Sequence, residues 1–251
     1  MPQNTLKQAL SAALPLMNAI CARCHEPTRR RYCEECVRTM LGFNEEAVQA
    51  REAEARAARE RGRLAWANLP PSVPPKTFDT LVDRRDVQGL RQAIAAAKAW
   101  ASGHGTPWLV LVGSNGAGKS HIAEAALRVV VERGERARLE SVVDLLSRLR
   151  SCYSSGEDSD ALLRRVWGTP WLVLDDLGRE KTSEWVQDRL YTLVNERSTR
   201  RLRTIVTTND GLDSLAAKLG RATAERVFDT GSGLATIVPV SGPSWRTERH
   251  G

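Results

Sequence analysis

Beyond Thr77 the chain alternates two kinds of segment. Short apolar runs at 107–112, 136–140, 170–174, 203–207 and 234–240 predict strands. Between them, apolar residues recur at three- and four-residue spacing and predict helices over 84–102, 119–133, 141–150, 159–167, 183–200, 211–219 and 221–229. Such alternation predicts an α/β domain, a parallel sheet covered by helices on both faces. The polar, acidic stretch 153–160 reads as a mobile loop. Earlier in the chain the pattern changes. Residues 44–63 are rich in Ala, Glu and Arg, with Glu52/Arg56 and Arg56/Glu60 at i,i+4. Few of those positions are apolar, which predicts a helix bridging through solvent. A Pro-rich stretch at 70–75 reads as a stiff linker. Leu6, Leu10, Ala13 and Met17 would share one face of an N-terminal helix.

The most informative string follows the first strand. Gly113, Ser114, Asn115, Gly116, Ala117, Gly118, Lys119 and Ser120 read G-x-x-x-x-G-K-S, a phosphate-binding loop, with His121 next. Wrapping a phosphate chain with backbone N–H groups requires side chains to stay clear, and the glycines allow it. The helix beginning near Lys119 aims its positive dipole end at the phosphates. Lys119 would bridge the β and γ phosphates, and the Ser120 hydroxyl would hold Mg²⁺. A bare Gly-rich turn is the bland alternative, and the strand–loop–helix frame argues against it.

The run 171–174 ends in Asp175 and Asp176. Ligands of parallel sheets lie at the carboxyl ends of the strands, so Asp175 is placed to hold Mg²⁺ and Asp176 to polarise an attacking water. A strand-ending turn is the structural alternative. A third strand closes on Thr207, Thr208 and Asn209, whose amide could orient water or touch the γ-phosphate. Arg221 and Arg226 flank a late helix. Either could act across a subunit boundary on phosphoryl-transfer charge, although most arginines are simply solvated.

Four of the five cysteines cluster as Cys21-x-x-Cys24 and Cys33-x-x-Cys36. Two such turns offer four thiolates to one Zn²⁺, and His25 could replace one of them. The spacer Arg29, Arg30 and Arg31 would favour thiolates. Disulfides and c-type haem attachment both need an oxidising or exported setting, which nothing else in the chain supports. Cys152 stands apart and reads as an inert thiol. A unit this short has too little core to fold unaided, so metal would supply folding energy.

A net charge of +7 suggests an anionic partner such as nucleic acid. No apolar run reaches a membrane-spanning length. Residues 8–22 lack charge but are interrupted by Pro15 and preceded only by Lys7, a poor signal peptide. A cytoplasmic location is expected.

In this order the motifs resemble the DnaC/DnaI-type helicase-loader ATPases of bacteria and their phages, within the AAA+ class. The resemblance rests on Lys76-Thr77-Phe78-Asp79, the phosphate loop, the Leu-Asp-Asp-Leu-Gly string from Leu174 and residues 191–197. Thr207-Thr208-Asn209 and the closing Gly242-Pro243-Ser244-Trp245-Arg246 also match. It implies a P-loop AAA+ domain over 76–251, a linker over 44–75 and a zinc-binding, partner-docking unit over 1–43. It implies ATP and Mg²⁺ as ligands and Asn209 as the first sensor. Arg226 would be the finger arginine, with Arg221 a rival, and Arg246 would sense nucleotide or interface. It further implies a homo-oligomer that binds a replicative DNA helicase and single-stranded DNA and hydrolyses ATP slowly. Asp176 stands where AAA+ proteins usually carry Glu, and Trp245 where tyrosine is common. A transposition helper ATPase of the IstB type shares this core and is the rival reading. A small-molecule kinase would need neither Asn209 nor the cysteine unit.

Overall fold

A computed structural model of the chain describes residues 19–28, 32–40, 45–69, 74–82, 84 and 86–244. The N-terminal helix face from Leu6 to Met17, the arginines 29–31, linker residues 70–73, Trp245 and Arg246 lie outside the described residues. The chain divides into two compact units, residues 1–61 and 62–251. No helix among the described residues is long and apolar enough to cross a membrane.

In the first unit, β1 (Ala19–Ile20) pairs antiparallel with β2 (Pro27–Thr28). At 19–20, within the uncharged stretch 8–22, the chain is a strand rather than a continuation of the expected N-terminal helix, and it brings the first cysteine pair to a tight turn. α1 (Glu34–Met40) follows, with Glu34 and Glu35 at its positive end. α2 (Glu45–Trp66) is solvated along most of its described length, as its lack of an apolar face predicts.

The second unit is built on five parallel strands. They are β3 (Trp108–Val112), β4 (Ala137–Ser141), β5 (Trp171–Leu177), β6 (Arg203–Thr208) and β7 (Ala235–Pro239), in the order β4-β5-β6-β3-β7. Helices α3 (Leu90–Ala101), α4 (Lys119–Glu132), α5 (Val142–Ser155), α6 (Ser159–Trp167), α7 (Glu184–Thr199), α8 (Leu212–Leu219) and α9 (Arg221–Val227) complete it. Side-chain alternation along β3 feeds two cores. Leu109 and Leu111 join Trp100, Ile122 and Leu127, while Trp108 and Val110 join Leu145, Leu190 and Val206.

Two expectations are corrected. The first large helix begins at Leu90 rather than 84. Gln88 pairs instead with Ser241, each backbone N–H donating to the other's carbonyl at 2.8 and 3.1 Å. Gly89 then turns at φ +76°, where a Cβ would stand 1.9 Å from the Pro239 carbonyl oxygen. The expected loop 153–160 is largely helical. α5 runs to Ser155 and ends on left-handed Gly156, and the Asp158 carboxylate caps α6 by accepting from Ala161 N–H.

β4 lies at an edge of the sheet, and the end of α2 covers it. Leu139 N–H donates to the Ala67 carbonyl at 2.8 Å, and Asn68 Nδ2 donates to Glu140 Oε1 at 3.2 Å. Glu140 is buried and also takes Arg138 and Arg148.

Candidate nucleotide site and cysteine cluster

The strand order makes the carboxyl ends of β3, β6 and β5 neighbours, so three distant sequence strings meet. Residues 113–118 form the loop between β3 and α4. Gly113 at φ +148° passes so close to β7 that a Cβ would lie 2.0 Å from the Val240 carbonyl oxygen. Gly116 at φ +76° lies under Ser244, whose Oγ would be 2.2 Å from a Cβ. Ser114 Oγ donates to the Gly242 carbonyl at 2.9 Å and accepts from Gly242 N–H at 3.1 Å. The chain's last described residues thus strap the loop. Gly118 caps α4 without a side chain, leaving the first-turn N–H groups of α4 for a phosphate.

Lys119 is buried inside this loop. Its Nζ donates to the carbonyls of Gly113 and Ser114 at 2.9 and 2.8 Å and to Asn209 Oδ1 at 2.8 Å. Burial holds its ammonium below the usual lysine range, and the charges of Asp176 and Asp175 act against that. Asn209 Nδ2 donates in turn to Asn115 Oδ1 at 2.9 Å.

Register irregularity at the end of β5 sets the two carboxylates. Leu174 pairs with Val206 and Leu177 with Thr208, so Asp175 and Asp176 face Thr207 alone. This is a bulge, and Asp176 takes φ +60° to make it. Thr207 Oγ1 donates to Asp175 Oδ1 at 2.6 Å and accepts from Asp176 N–H at 2.9 Å. Burial pushes the Asp175 carboxyl above its usual range, and hydrogen bonds from Thr207 and Ser120 pull back. Asp176 is more exposed and meets Arg179 at 3.2 Å. Thr207 as a clamp escaped the sequence reading; its signal is a hydroxyl directly after the apolar pair Ile205-Val206 near the carboxyl end of β6.

A cavity of about 550 Å³ opens beside the loop. Leu81, Val82 and Leu90 give it an apolar wall, and Lys119, Ser120 and Asp176 a polar one. His121 also lines it, with Nε2 2.9 Å from the Thr77 carbonyl oxygen. Lys76, on the same wall, pairs with buried Glu124 at 2.9 Å, and Arg128 pairs with the other Glu124 oxygen at 2.8 Å. The set fits a magnesium nucleotide: a cradle that tolerates no Cβ, a desolvated cation, and a hydroxyl beside a carboxylate.

Arg221 and Arg226 do not line this cavity. Arg221 pairs with Glu225 at 2.8 Å, and Arg226 lies 5.1 Å over the Tyr191 ring. Both sit on α9, Arg221 exposed and Arg226 half-buried.

In the first unit the Sγ atoms of Cys21, Cys24, Cys33 and Cys36 all lie within 4.8 Å of one another. Zn–S bonds of about 2.3 Å place tetrahedral ligands roughly 3.8 Å apart, so the donor set can hold a zinc ion. Backbone N–H groups of Cys24 and Cys33 lower the Cys21 thiol to about 6, while burial and neighbouring thiols push Cys36 up to about 12. His25 does not join the cluster.

A parallel sheet with phosphate loop, paired carboxylates and a polar third strand end defines an ATP-binding domain of the AAA+ class. Residues 30–250 match the family described as IstB-like ATP binding protein, and the chain belongs to that family. It is 26% identical over 161 residues to the protein YdaV of Escherichia coli K12. It is 27% identical over 121 residues to the replicative helicase loader DnaC of the same strain. The chain spans 64% of the length of the first and 48% of the second, and those matches cover 63% and 48% of this chain. A crystal structure of the DnaC helicase loader superposes with a TM-score of 0.57 at 27% identity, over 66% of this chain and 96% of that one. AMPPCP-bound DnaA from Aquifex aeolicus shares the fold, with a TM-score of 0.57 at 19% identity over 68% of this chain and 51% of that one.

Proposed function

We propose that this protein is an ATP-switched helicase loader of DNA replication. The observation that carries the reading is the joining of Lys119, Asn209 and Asn115 into one network beside Asp175 and Asp176, in a domain similar to the DnaC loader over nearly all of that structure.

Each residue then has a role. The loop N–H groups and Lys119 bind the triphosphate, and Ser120 and Asp175 hold Mg²⁺. Asp176 accepts the proton of the attacking water, and Asn209 orients it. Magnesium, when bound, neutralises phosphate charge. Arg226 or Arg221, remote from its own cavity, serves the site of a neighbouring subunit. Arg246, two positions after Ser244 in the sequence, serves to report nucleotide or interface. The cysteine unit, folded on zinc, docks the helicase, and single-stranded DNA stimulates slow turnover.

The family's description favours a second reading, a transposition helper that acts on duplex DNA with a transposase. Sizing the protein with the host's replicative helicase, with and without ATP, separates them. A complex that changes with ATP is expected. No complex in either condition, together with ATP-dependent oligomers on duplex DNA, would establish the helper instead. Asp176→Asn should keep ATP binding and lose turnover by roughly 10²–10⁴-fold, the usual worth of a general base.

A further inference from the structure

The rim of the sheet opposite the nucleotide carries arginines stacked on tryptophans. Arg133 and Arg203 lie over the Trp171 ring, at 5.6 and 5.2 Å. Arg136 and Arg138 lie over Trp66, at 5.2 and 5.8 Å. Arg200 covers Trp167 at 4.4 Å. The groups are contiguous. Trp171 N–H donates to the Arg136 carbonyl, Trp171 pairs with Arg203 across β5 and β6, and Arg63 lies against Gly134. All stand at the amino ends of the strands. Five residues of strand, about 17 Å, separate them from the phosphate loop.

Most of this charge is uncompensated. Arg138 pairs with Glu140 and Arg200 with Glu196. Arg133, Arg136, Arg201 and Arg203 make no ion pair among the described residues, although Glu132 and Glu135 flank Arg133. Trp171 is braced by Trp100 edge-on at 4.9 Å and 86°. Arg203 commits its fork to the carbonyls of Trp100, Gly103 and His104, and Arg138 to Glu140 and the Trp66 carbonyl. Arg133 and Arg136, exposed and laid on indoles, are the guanidiniums placed to meet phosphate oxygens. Only six of the chain's 37 basic residues are lysine.

We propose that this arginine–tryptophan rim is a second ligand site, one that binds the phosphodiester backbone of single-stranded nucleic acid. The proposal rests on the reading that the protein works on single strands, and it places that contact away from the nucleotide. Partly exposed indole edges between the cations give unpaired bases an apolar surface, which a duplex could not use.

The test uses the full chain and a fluorescein-labelled oligo-dT probe. Arg133 and Arg136 are exposed, so R133A/R136A should fold and keep its affinity for a fluorescent ATP analogue. Its oligo-dT affinity should fall roughly tenfold, and its salt slope by about 1.4, near 0.7 for each lost phosphate contact. R51A/R59A removes the same charge from α2 and should change neither. Equal loss in that control would overturn the site, because net charge alone would then explain binding. An unchanged affinity in R133A/R136A would overturn it too. So would wild-type binding to polyglutamate or to duplex as tight as to oligo-dT. Failure of wild-type protein to bind oligo-dT while still binding ATP would remove the rim proposal and leave the nucleotide site standing.

Discussion

Lys119 and Asn209 are joined across ninety positions of sequence: the ammonium donates to the amide oxygen at 2.8 Å. All three ammonium donors are engaged, by Gly113, Ser114 and Asn209, so a phosphate oxygen would compete with one of these contacts. The end of β6 also holds Asp175 through Thr207. One element thus touches both the cation proposed to bind phosphate and the carboxylate proposed to hold metal.

The two partners of that contact should behave differently. Lys119→Ala removes a charged donor worth about 1.5–3 kcal/mol, so ATP affinity should drop by roughly 10- to 100-fold. Asn209→Ala removes a competitor as well as a ligand. Its binding constant should stay within about threefold of wild type while turnover falls. Titration of a fluorescent ATP analogue beside a steady-state phosphate assay checks both, and parallel losses of binding would refute the division.

Asp175 predicts a pH dependence whose sign follows from its burial. Its carboxyl titrates above the usual range in the folded state. The ionised form is therefore penalised by folding, and stability from this group is present at low pH and lost as pH rises through its raised value. Asp175→Asn should accordingly raise the melting temperature of nucleotide-free protein at pH 7 and bring less gain near pH 4, while Mg²⁺-dependent binding is lost. Thr207→Val deletes a hydrogen bond to the charged form. It should push the carboxyl further up and move the onset of Mg²⁺ binding to higher pH. Calorimetry across pH, with and without Mg²⁺, reads both effects. An onset unmoved in Thr207→Val would show that the hydroxyl does not tune the carboxylate.

Much of the fold was legible because β3 and β5, inside the sheet, are buried along most of their length and read as apolar runs. What escaped depends on contacts between distant segments. Nothing near Gly89 announces that Gln88 will pair with Ser241. The two-against-one bulge at Asp175 and Asp176 depends on β6, which lies about thirty residues away. The loop, carboxylates and Asn209 were visible as strings, but the clamp at Thr207, the ion pairs of Lys76 and Glu124, and the stacked arginines were not. Those are made by packing.

The cysteine cluster predicts a local response to metal removal. A strong chelator should release about one zinc per chain and expose the region around 19–40 to protease. ATP affinity should be unchanged, because no residue of the nucleotide cavity belongs to that unit. Elemental analysis with limited proteolysis checks this, and well under one zinc per chain in protein purified without chelator would rule the metal out.

The carbonyl of Ala67 has a consequence for how this protein keeps to itself. An edge strand with bare N–H and C=O groups is a template on which other chains can grow. Here the end of α2 occupies that template, through Leu139 N–H and through Asn68 on Glu140. A fragment begun at Lys76 would retain every nucleotide ligand yet lose this cover. It would also leave Glu140 one partner short in a buried position. The segment that reads as a mere tether thus also covers a sheet edge, and a fragment that lacks it should stick to its own copies.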